Sequence, residues 1–274
     1  ATRGMSPVST PRTTPTSRGA LGAGIAALRE KIRGLKRVDR LEEVSLLGDL
    51  VNAGDLVVLV VPIDTGAPKG RLILPQVQTI RDILDHDATA IMVKEANLVR
   101  TLNGLADRPD LVITDSQVVL KVVEEVPGEL PVTTFSTVFA RFKGDLRQLV
   151  KGVQAIDRLK DGDRVLIAEA CTHHPMADDI GRIKIPRWLK QYSGKDLSFG
   201  VAAGPGFPDV HDYALVLQCG GCTITRRACC NRIESSVQQG VPITNYGVAI
   251  SYVQGVLPRV LQPFPEMRDL LEGL

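Results

Sequence analysis

The chain has 274 residues, 44% of them hydrophobic, which is enough for one large or two ordinary domains that each bury a core. Its 33 basic and 31 acidic residues give a net charge of +2, and they form no basic stripe that could neutralise a phosphate backbone. The longest apolar run, 56–62, is far shorter than the roughly 20 residues that cross a bilayer. A wholly disordered chain, a nucleic-acid partner and a transmembrane segment are therefore excluded.

The N-terminal segment is rich in hydroxyl side chains. The first 17 residues hold eight Ser or Thr, three Pro and no acidic residue, a composition that predicts a loop or a disordered segment. Apolar residues at helical spacing from Leu21 to Leu35 then predict an amphipathic helix. A transit peptide would have this composition too, but the chain does not begin with Met, and a fragment boundary explains the segment at least as well.

From about residue 40, short β-branched runs alternate with helix-length amphipathic stretches, the pattern of parallel strands joined by crossover helices. Strands are predicted at 56–61, 90–93, 111–113, 132–135, 164–168, 197–201, 213–217 and 242–244. Helices are predicted at 75–85, 95–106, 116–124, 144–159, 177–191, 222–239 and 246–256. A turn-rich segment at 126–131 marks a domain boundary, so we expect an α/β protein of two doubly wound, mainly parallel-sheet (Rossmann-like) domains.

Two common nucleotide-binding motifs, the phosphate-binding loop and the Gly-x-Gly-x-x-Gly turn after a strand, do not occur in the sequence. Gly22 and Gly24 neither follow a predicted strand nor have the third glycine, and they favour a helix start. No repeat at fixed period suggests a solenoid. We do not expect this polypeptide to bind GTP or NAD by itself.

All five cysteines lie between residues 171 and 230. An odd number confined to one region is unlike a secreted disulfide framework and favours metal-binding thiols in a reducing compartment. Cys171-Thr-His173 and Cys219-Gly-Gly-Cys222 each follow a predicted strand. Ligands gather at the carboxyl ends of parallel strands, so the two turns can face one another although 47 residues separate Cys171 from Cys219.

The cysteine spacing leaves the metal open. Cys219 and Cys222 can reach one centre, and the two glycines between them permit unusual dihedrals and leave amides free to point at sulfur. Cys171, His173, Cys219 and Cys222 could also form a closed zinc site. Structural zinc, a redox dithiol of thioredoxin type and an iron–sulfur cluster all remain compatible with the spacing.

The other cysteines and histidines have structural interpretations. Cys229 and Cys230 lie seven and eight positions after Cys222 on a predicted helix. At 1.5 Å per residue they would be about 10 Å away, which favours small buried residues rather than ligands. We expect His174 and His211 to be surface or capping residues, and His86 has no cysteine near it in sequence.

The sequence resembles the FeFe-hydrogenase maturation GTPase family HydF. The family pattern is Cys-x-His, a gap of some tens of residues, and His-Cys-x-x-Cys, and here Cys171-Thr-His173 and Gln218-Cys219-Gly-Gly-Cys222 match it except at Gln218. Further stretches resemble the same family, at 61–75, 112–117, 139–145 and 242–247. The resemblance extends from about residue 40 to the end of the chain.

The resemblance implies a homodimerisation domain at 37–130 and a cluster-binding domain at 131–274, with Cys171, Cys219 and Cys222 as ligands of a 4Fe-4S cluster. It also implies a preceding GTPase domain, of which residues 1–36 would be a remnant. The full-length protein would then hydrolyse GTP, and this chain would be a C-terminal fragment that is not itself an enzyme.

The family's second histidine is Gln218 here, so the fourth cluster position would be taken by His173, a carboxylate, water or an exogenous group. An exchangeable position suits a scaffold that receives a di-iron precursor from radical-SAM maturases and passes it to FeFe-hydrogenase apo-protein. Two alternatives are an iron–sulfur enzyme with an open iron site and a zinc-stapled interaction module. The cytoplasm, or a reducing organelle such as a plastid, fits each of them.

Overall fold

A computed structural model describes residues 24–31, 45–63, 70–170 and 179–271. Residues 24–31 form helix α1 with exposed side chains, which confirms that part of the helix predicted between Leu21 and Leu35. The Ser/Thr/Pro segment lies outside the described residues. From Ser45 onward the chain is one compact unit, to which the following paragraphs refer. Within the described ranges, no helix is long and apolar enough to cross a membrane.

Two four-stranded, all-parallel sheets form this unit, with strand orders β2-β1-β3-β4 and β6-β5-β7-β8. The central strands are buried on both faces, as parallel sheets covered by crossover helices require. The elements of the first sheet and its helices are β1 Leu56–Val60, α2 Leu74–Asp85, β2 Thr89–Val93, α3 Leu98–Gly104, β3 Leu111–Thr114, α4 Val119–Glu125, β4 Val132–Thr134 and α5 Phe135–Lys143.

The second sheet follows directly after α5. Its elements are α6 Leu146–Val153, β5 Arg164–Glu169, α7 Ile185–Ser193, β6 Ser198–Ala203, β7 Leu215–Gln218, α8 Arg226–Gln238, β8 Ile243–Asn245, α9 Tyr246–Val253, α10 Leu257–Leu261 and α11 Arg268–Leu271. Short 3₁₀ segments lie at Glu95–Asn97, Ser116–Val118, Gln154–Arg158 and Pro265–Met267, and a π-helical turn at Ile180–Lys184 leads into α7.

The predicted fold class is confirmed, and each predicted strand has a counterpart in the structure. Helix α5 was not predicted, because Val132 to Phe135 read as one strand. The strand ends at Thr134, whose hydroxyl oxygen accepts a hydrogen bond from the Thr137 amide at 3.1 Å and so starts the helix. Helix α8 begins at Arg226, not at the predicted residue 222.

The two halves share the same topology and also the same turn before their first strand. Gly54 and Gly162, ahead of β1 and β5, have φ values of +88° and +89°. The carboxylates of Asp55 and Asp163 accept hydrogen bonds from the backbone amides three residues earlier, at 2.7 and 2.8 Å. With the matching strand orders, this indicates an internal duplication that no fixed-period search would detect.

Helices α6 and α10 pack the two halves against each other. Helix α6, which follows the first half, packs on β8 of the second sheet, and its counterpart α10 packs on β4 of the first. Arg259 on α10 donates hydrogen bonds to the carbonyl oxygens of Pro127, at 2.8 Å, and Leu130. One continuous hydrophobic core therefore extends through both halves.

The domain boundary predicted at 130/131 falls before β4. Strand β4 pairs with β3 through Val112 and Val132, so the first sheet extends past that boundary. The assignment of 37–130 to dimerisation and 131–274 to cluster binding stays a prediction.

We expect Gly152→Ala to destabilise the protein by about 2–3 kcal/mol, because a Cβ at Gly152 would lie 1.9 Å from the Ile243 carbonyl oxygen. The measurement is chemical denaturation, followed by circular dichroism and by the fluorescence of the single tryptophan, Trp188. Gly104→Ala is the matched control, since a Cβ there meets nothing within 4 Å. Equal stability of the two variants would contradict the tight α6–β8 contact.

Candidate metal centre

Strands β5 and β7 are neighbours in the second sheet, with Ala168 opposite Gln218. The connection from β5 leads to β6 on one side, whereas β7 continues to β8 on the other, so the strand order changes direction between them. Such a switch point leaves a crevice at the carboxyl ends of the strands. The two strands that precede Cys171 and Cys219 are therefore adjacent in the sheet.

Hydrogen bonds join the two strand ends. The Cys219 amide donates to the Ala168 carbonyl oxygen at 2.9 Å, and the Ala170 amide donates to Cys219 Sγ at 3.1 Å. An amide directed at sulfur stabilises thiolate character. Cys171 and His173 lie outside the described residues, but Cys171 follows Ala170 directly in the chain.

The Cys219–Cys222 turn is tight and half-buried. Gly221 has φ +62°, which a glycine adopts without strain, and its carbonyl oxygen accepts a hydrogen bond from the Ile224 amide at 3.2 Å. The Thr225 hydroxyl oxygen then accepts from the Ala228 amide at 3.2 Å and caps α8. The expectation that the helix begins directly at Cys222 is wrong, because this turn and cap intervene.

The donor set fits a thiolate-bound metal centre. Cys219 Sγ accepts a hydrogen bond from the Ala170 amide at the strand end, Cys222 stands three positions later, and Cys171 follows Ala170 in the chain. Among the described residues alone, no group of three or more Cys, His, Asp or Glu is placed to hold a metal ion. Cys219 and Cys222 are described at this turn, whereas Cys171 and His173 lie in 171–178, outside the described residues.

Gln218, at the position of the family histidine, is 5% exposed. Its Oε1 is buried and has no hydrogen-bond partner in the described part of the chain. A buried polar atom without a partner costs roughly 1–3 kcal/mol, so such atoms concentrate at binding sites.

A buried ion pair brackets the segment that holds Cys171. Glu169 at the end of β5 is 1% exposed, and its two carboxylate oxygens accept from Arg182 Nε and Nη2 at 2.9 and 2.6 Å. Asp179 Oδ1 accepts from the Arg182 amide at 2.7 Å. The hydrogen bonds that Arg182 donates to Glu169 raise the pKa of Arg182 above its ordinary value. The bidentate pair fixes both ends of the segment that carries Cys171 and His173.

Tyr246 lies close to Cys219 and to the Glu169–Arg182 ion pair. A Cβ on Gly181 would come within 2.5 Å of its hydroxyl oxygen, which requires glycine there. Burial raises the pKa of Tyr246, and the charges of Cys219 and Glu169 raise it further, so the phenol stays protonated. Its hydroxyl is buried and finds no hydrogen-bond partner within the described residues.

Cys229 lies closer to the site than its sequence distance indicated. Its Sγ would be 2.6 Å from a Cβ on Gly221, so it packs beneath the cysteine turn. Burial raises its pKa to about 11, in agreement with the predicted buried thiol. Cys230 Sγ donates to the Lys143 carbonyl oxygen at 3.8 Å. His86 caps α2, and His211 contacts Asp209, so neither is part of the site.

Glu169, Arg182 and Tyr246 belong to no recognisable sequence motif, so the sequence alone did not indicate that they lie at this site. The internal duplication carries one signal: Gly181-Arg182 stands five residues before Pro186, as Gly70-Arg71 stands before Pro75.

Two family models match the chain. The model described as the Hydrogen maturase F dimerization domain matches residues 46–144, and the model described as the Hydrogen maturase F tetramerization domain matches residues 147–263. The chain belongs to the hydrogen maturase F family. Its matched segments correspond to the two sheets, with the division just before α6. No curated protein sequence matches the chain.

Membership confirms the resemblance stated from the cysteine motifs and places the chain in hydrogenase maturation. Both hydrogen maturase F models are named for self-association, which supports an oligomeric protein.

We expect Glu169→Gln to destabilise the protein by about 3 kcal/mol, because it leaves the Arg182 guanidinium without its buried counter-ion. Urea denaturation measures the change. Asp85→Asn, which breaks the exposed Arg81–Asp85 pair, is the control and should leave the midpoint unchanged. Similar midpoints for both variants would rule out a structural role of the buried pair.

Proposed function

We propose that this hydrogen maturase F chain is a scaffold that holds a 4Fe-4S cluster through Cys171, Cys219 and Cys222. The observation that carries the proposal is the hydrogen bond from the Ala170 amide to Cys219 Sγ. It joins the strand end before Cys171 to the strand end that bears the Cys219–Cys222 turn. Three thiols from two turns could then meet at one crevice.

Cysteine thiolates are the usual ligands of iron–sulfur clusters, and amides directed at sulfur stabilise the negative charge. When bound, the cluster would supply one iron without a cysteine ligand. Gln218 and His173 are the side chains that the resemblance to the family's cysteine motifs implies near that position. A neutral amide such as Gln218 is a weak metal ligand, which favours an exchangeable fourth position.

An exchangeable position suits a carrier. We propose that the scaffold receives a di-iron precursor as cargo from radical-SAM maturases and delivers it to FeFe-hydrogenase apo-protein. The buried Gln218 Oε1 and Tyr246 hydroxyl, neither of which has a hydrogen-bond partner among the described residues, could contact the cluster or its cargo. In this role the chain binds and releases the precursor and does not catalyse a reaction on it.

A thioredoxin-type dithiol is disfavoured. Such motifs lower the thiol pKa by placing a cysteine at a helix N-terminus. Here α8 begins at Arg226 and is capped by Thr225, several residues beyond Cys222. A zinc-stapled module remains the second candidate, because the same thiols with His173 would close a tetrahedral site.

We expect the anaerobically reconstituted, dithionite-reduced chain to give a 4Fe-4S EPR signal, and Cys219→Ser to lose it because one thiolate ligand is gone. Cys230→Ser is the matched control, since its thiol contacts the Lys143 carbonyl oxygen instead, and it should keep the signal. Stoichiometric zinc with no EPR signal in the parent chain would establish the zinc module instead.

We also propose that the first half forms the dimer through the edge of its sheet at β2. Strand β2 is the outer strand of that sheet and has a largely accessible pattern of burial. Large apolar side chains are exposed on this strand and on the helices beside it, namely Leu74, Val77, Leu84, Met92 and Val99. Apolar side chains around an unpaired strand edge favour association with a second copy.

We expect Met92→Lys to raise the dimer dissociation constant at least about tenfold, because a charge on an edge strand opposes pairing. Analytical ultracentrifugation over a concentration series measures it. Val237→Lys on α8, an equally exposed apolar site in the other half, is the control. A dimer that Met92→Lys leaves intact would place the interface elsewhere.

A further inference from the structure

Lys143, the last residue of α5, reaches into the cysteine turn of the other half. Its Nζ donates hydrogen bonds to the carbonyl oxygens of Gly221 at 3.0 Å, Cys222 at 2.9 Å and Ile224 at 2.9 Å. An ammonium group has three N–H donors, and here all three are used on one turn. Lys143 falls within the dimerization match, whereas the turn falls within the tetramerization match.

The three acceptors are neutral main-chain oxygens in a segment that is neither helix nor strand. The described internal support of this turn is the single 3.2 Å bond from the Ile224 amide to the Gly221 carbonyl oxygen. The three charge-assisted hydrogen bonds from Lys143 therefore hold the turn more firmly than its own internal hydrogen bond does.

The Lys143 backbone is itself held in place. Arg226 Nε donates to the Phe142 carbonyl oxygen at 3.0 Å, and Cys230 Sγ donates to the Lys143 carbonyl oxygen at 3.8 Å. A Cβ on the next residue, Gly144, would meet the Ala140 carbonyl oxygen at 3.0 Å. These contacts fix the end of α5 against α8, so the ammonium position is set by both halves.

We propose that Lys143 is a positioning residue that holds the Cys219–Cys222 turn in its ligating geometry and couples that turn to the dimerization half. Its ammonium group also places a positive charge within hydrogen-bond distance of the turn's carbonyl oxygens. The effect on a cluster rests on the proposed function, but the effect on the turn does not.

Two variants separate geometry from charge. Lys143→Met removes both the donors and the charge. Lys143→Arg keeps the charge, but a planar guanidinium fork cannot direct three N–H groups at three convergent oxygens as an ammonium does. Lys151→Met on α6, which removes an exposed lysine, is the matched control. Circular dichroism and thermal melting confirm that each variant is folded.

The first readout is the alkylation rate of Cys219 and Cys222 in the metal-free chain, followed by peptide mass spectrometry. We expect rates on the order of tenfold higher in Lys143→Met and Lys143→Arg, because the turn loses its cross-link, and no change in Lys151→Met. Unchanged rates in both Lys143 variants would overturn the positioning role.

The second readout is the reduction potential of the reconstituted cluster, followed by EPR. We expect a more negative potential in Lys143→Met and a smaller shift in Lys143→Arg, because net charge near a cluster sets its potential. Equal potentials in all variants would overturn the charge effect. Faster alkylation in a chain that binds no cluster would uphold the positioning role and refute the proposed function.

Discussion

The parallel pairing of β5 with β7 is the constraint on which the candidate centre depends. Because the chain continues from these strands in opposite directions across the sheet, their carboxyl ends lie at a switch point, where parallel sheets form a crevice. The hydrogen bond from the Ala170 amide to Cys219 Sγ joins the two exits. The pairing of these two strands is therefore enough to bring turns that are distant in sequence close together.

The internal duplication explains why the second half does not stand apart from the first. Helix α6 covers β8, the last strand of the second sheet, and α10 covers β4, the last strand of the first; the absence of a side chain at Gly152 lets α6 approach β8 closely. Lys143 adds a further contact between the halves, because its ammonium group donates hydrogen bonds to the cysteine turn. The end of α5 therefore belongs to the first half and contacts the cysteine turn of the second.

The electrostatics of the site come from groups outside the cysteine motifs. Glu169 and Arg182 neutralise each other at the base of the 171–178 segment, so the pair stabilises geometry while adding little net charge. Lys143 adds a positive charge beneath the turn. Tyr246 keeps its proton because burial and the neighbouring Cys219 and Glu169 oppose ionisation. The protonated phenol of Tyr246 and the ammonium group of Lys143 therefore place hydrogen-bond donors at this end of the second sheet.

The sequence alone determined the α/β class, the strand positions and the family, because burial of parallel strands imposes apolar runs and the cysteine turns have fixed spacing. It also placed Cys219 and Cys222 at a strand end. Only the tertiary structure decided that α5 exists, that α8 begins at Arg226, and that Lys143, Glu169, Arg182 and Tyr246 surround the turn. These features depend on contacts between segments far apart in the chain, and local patterns do not encode such contacts.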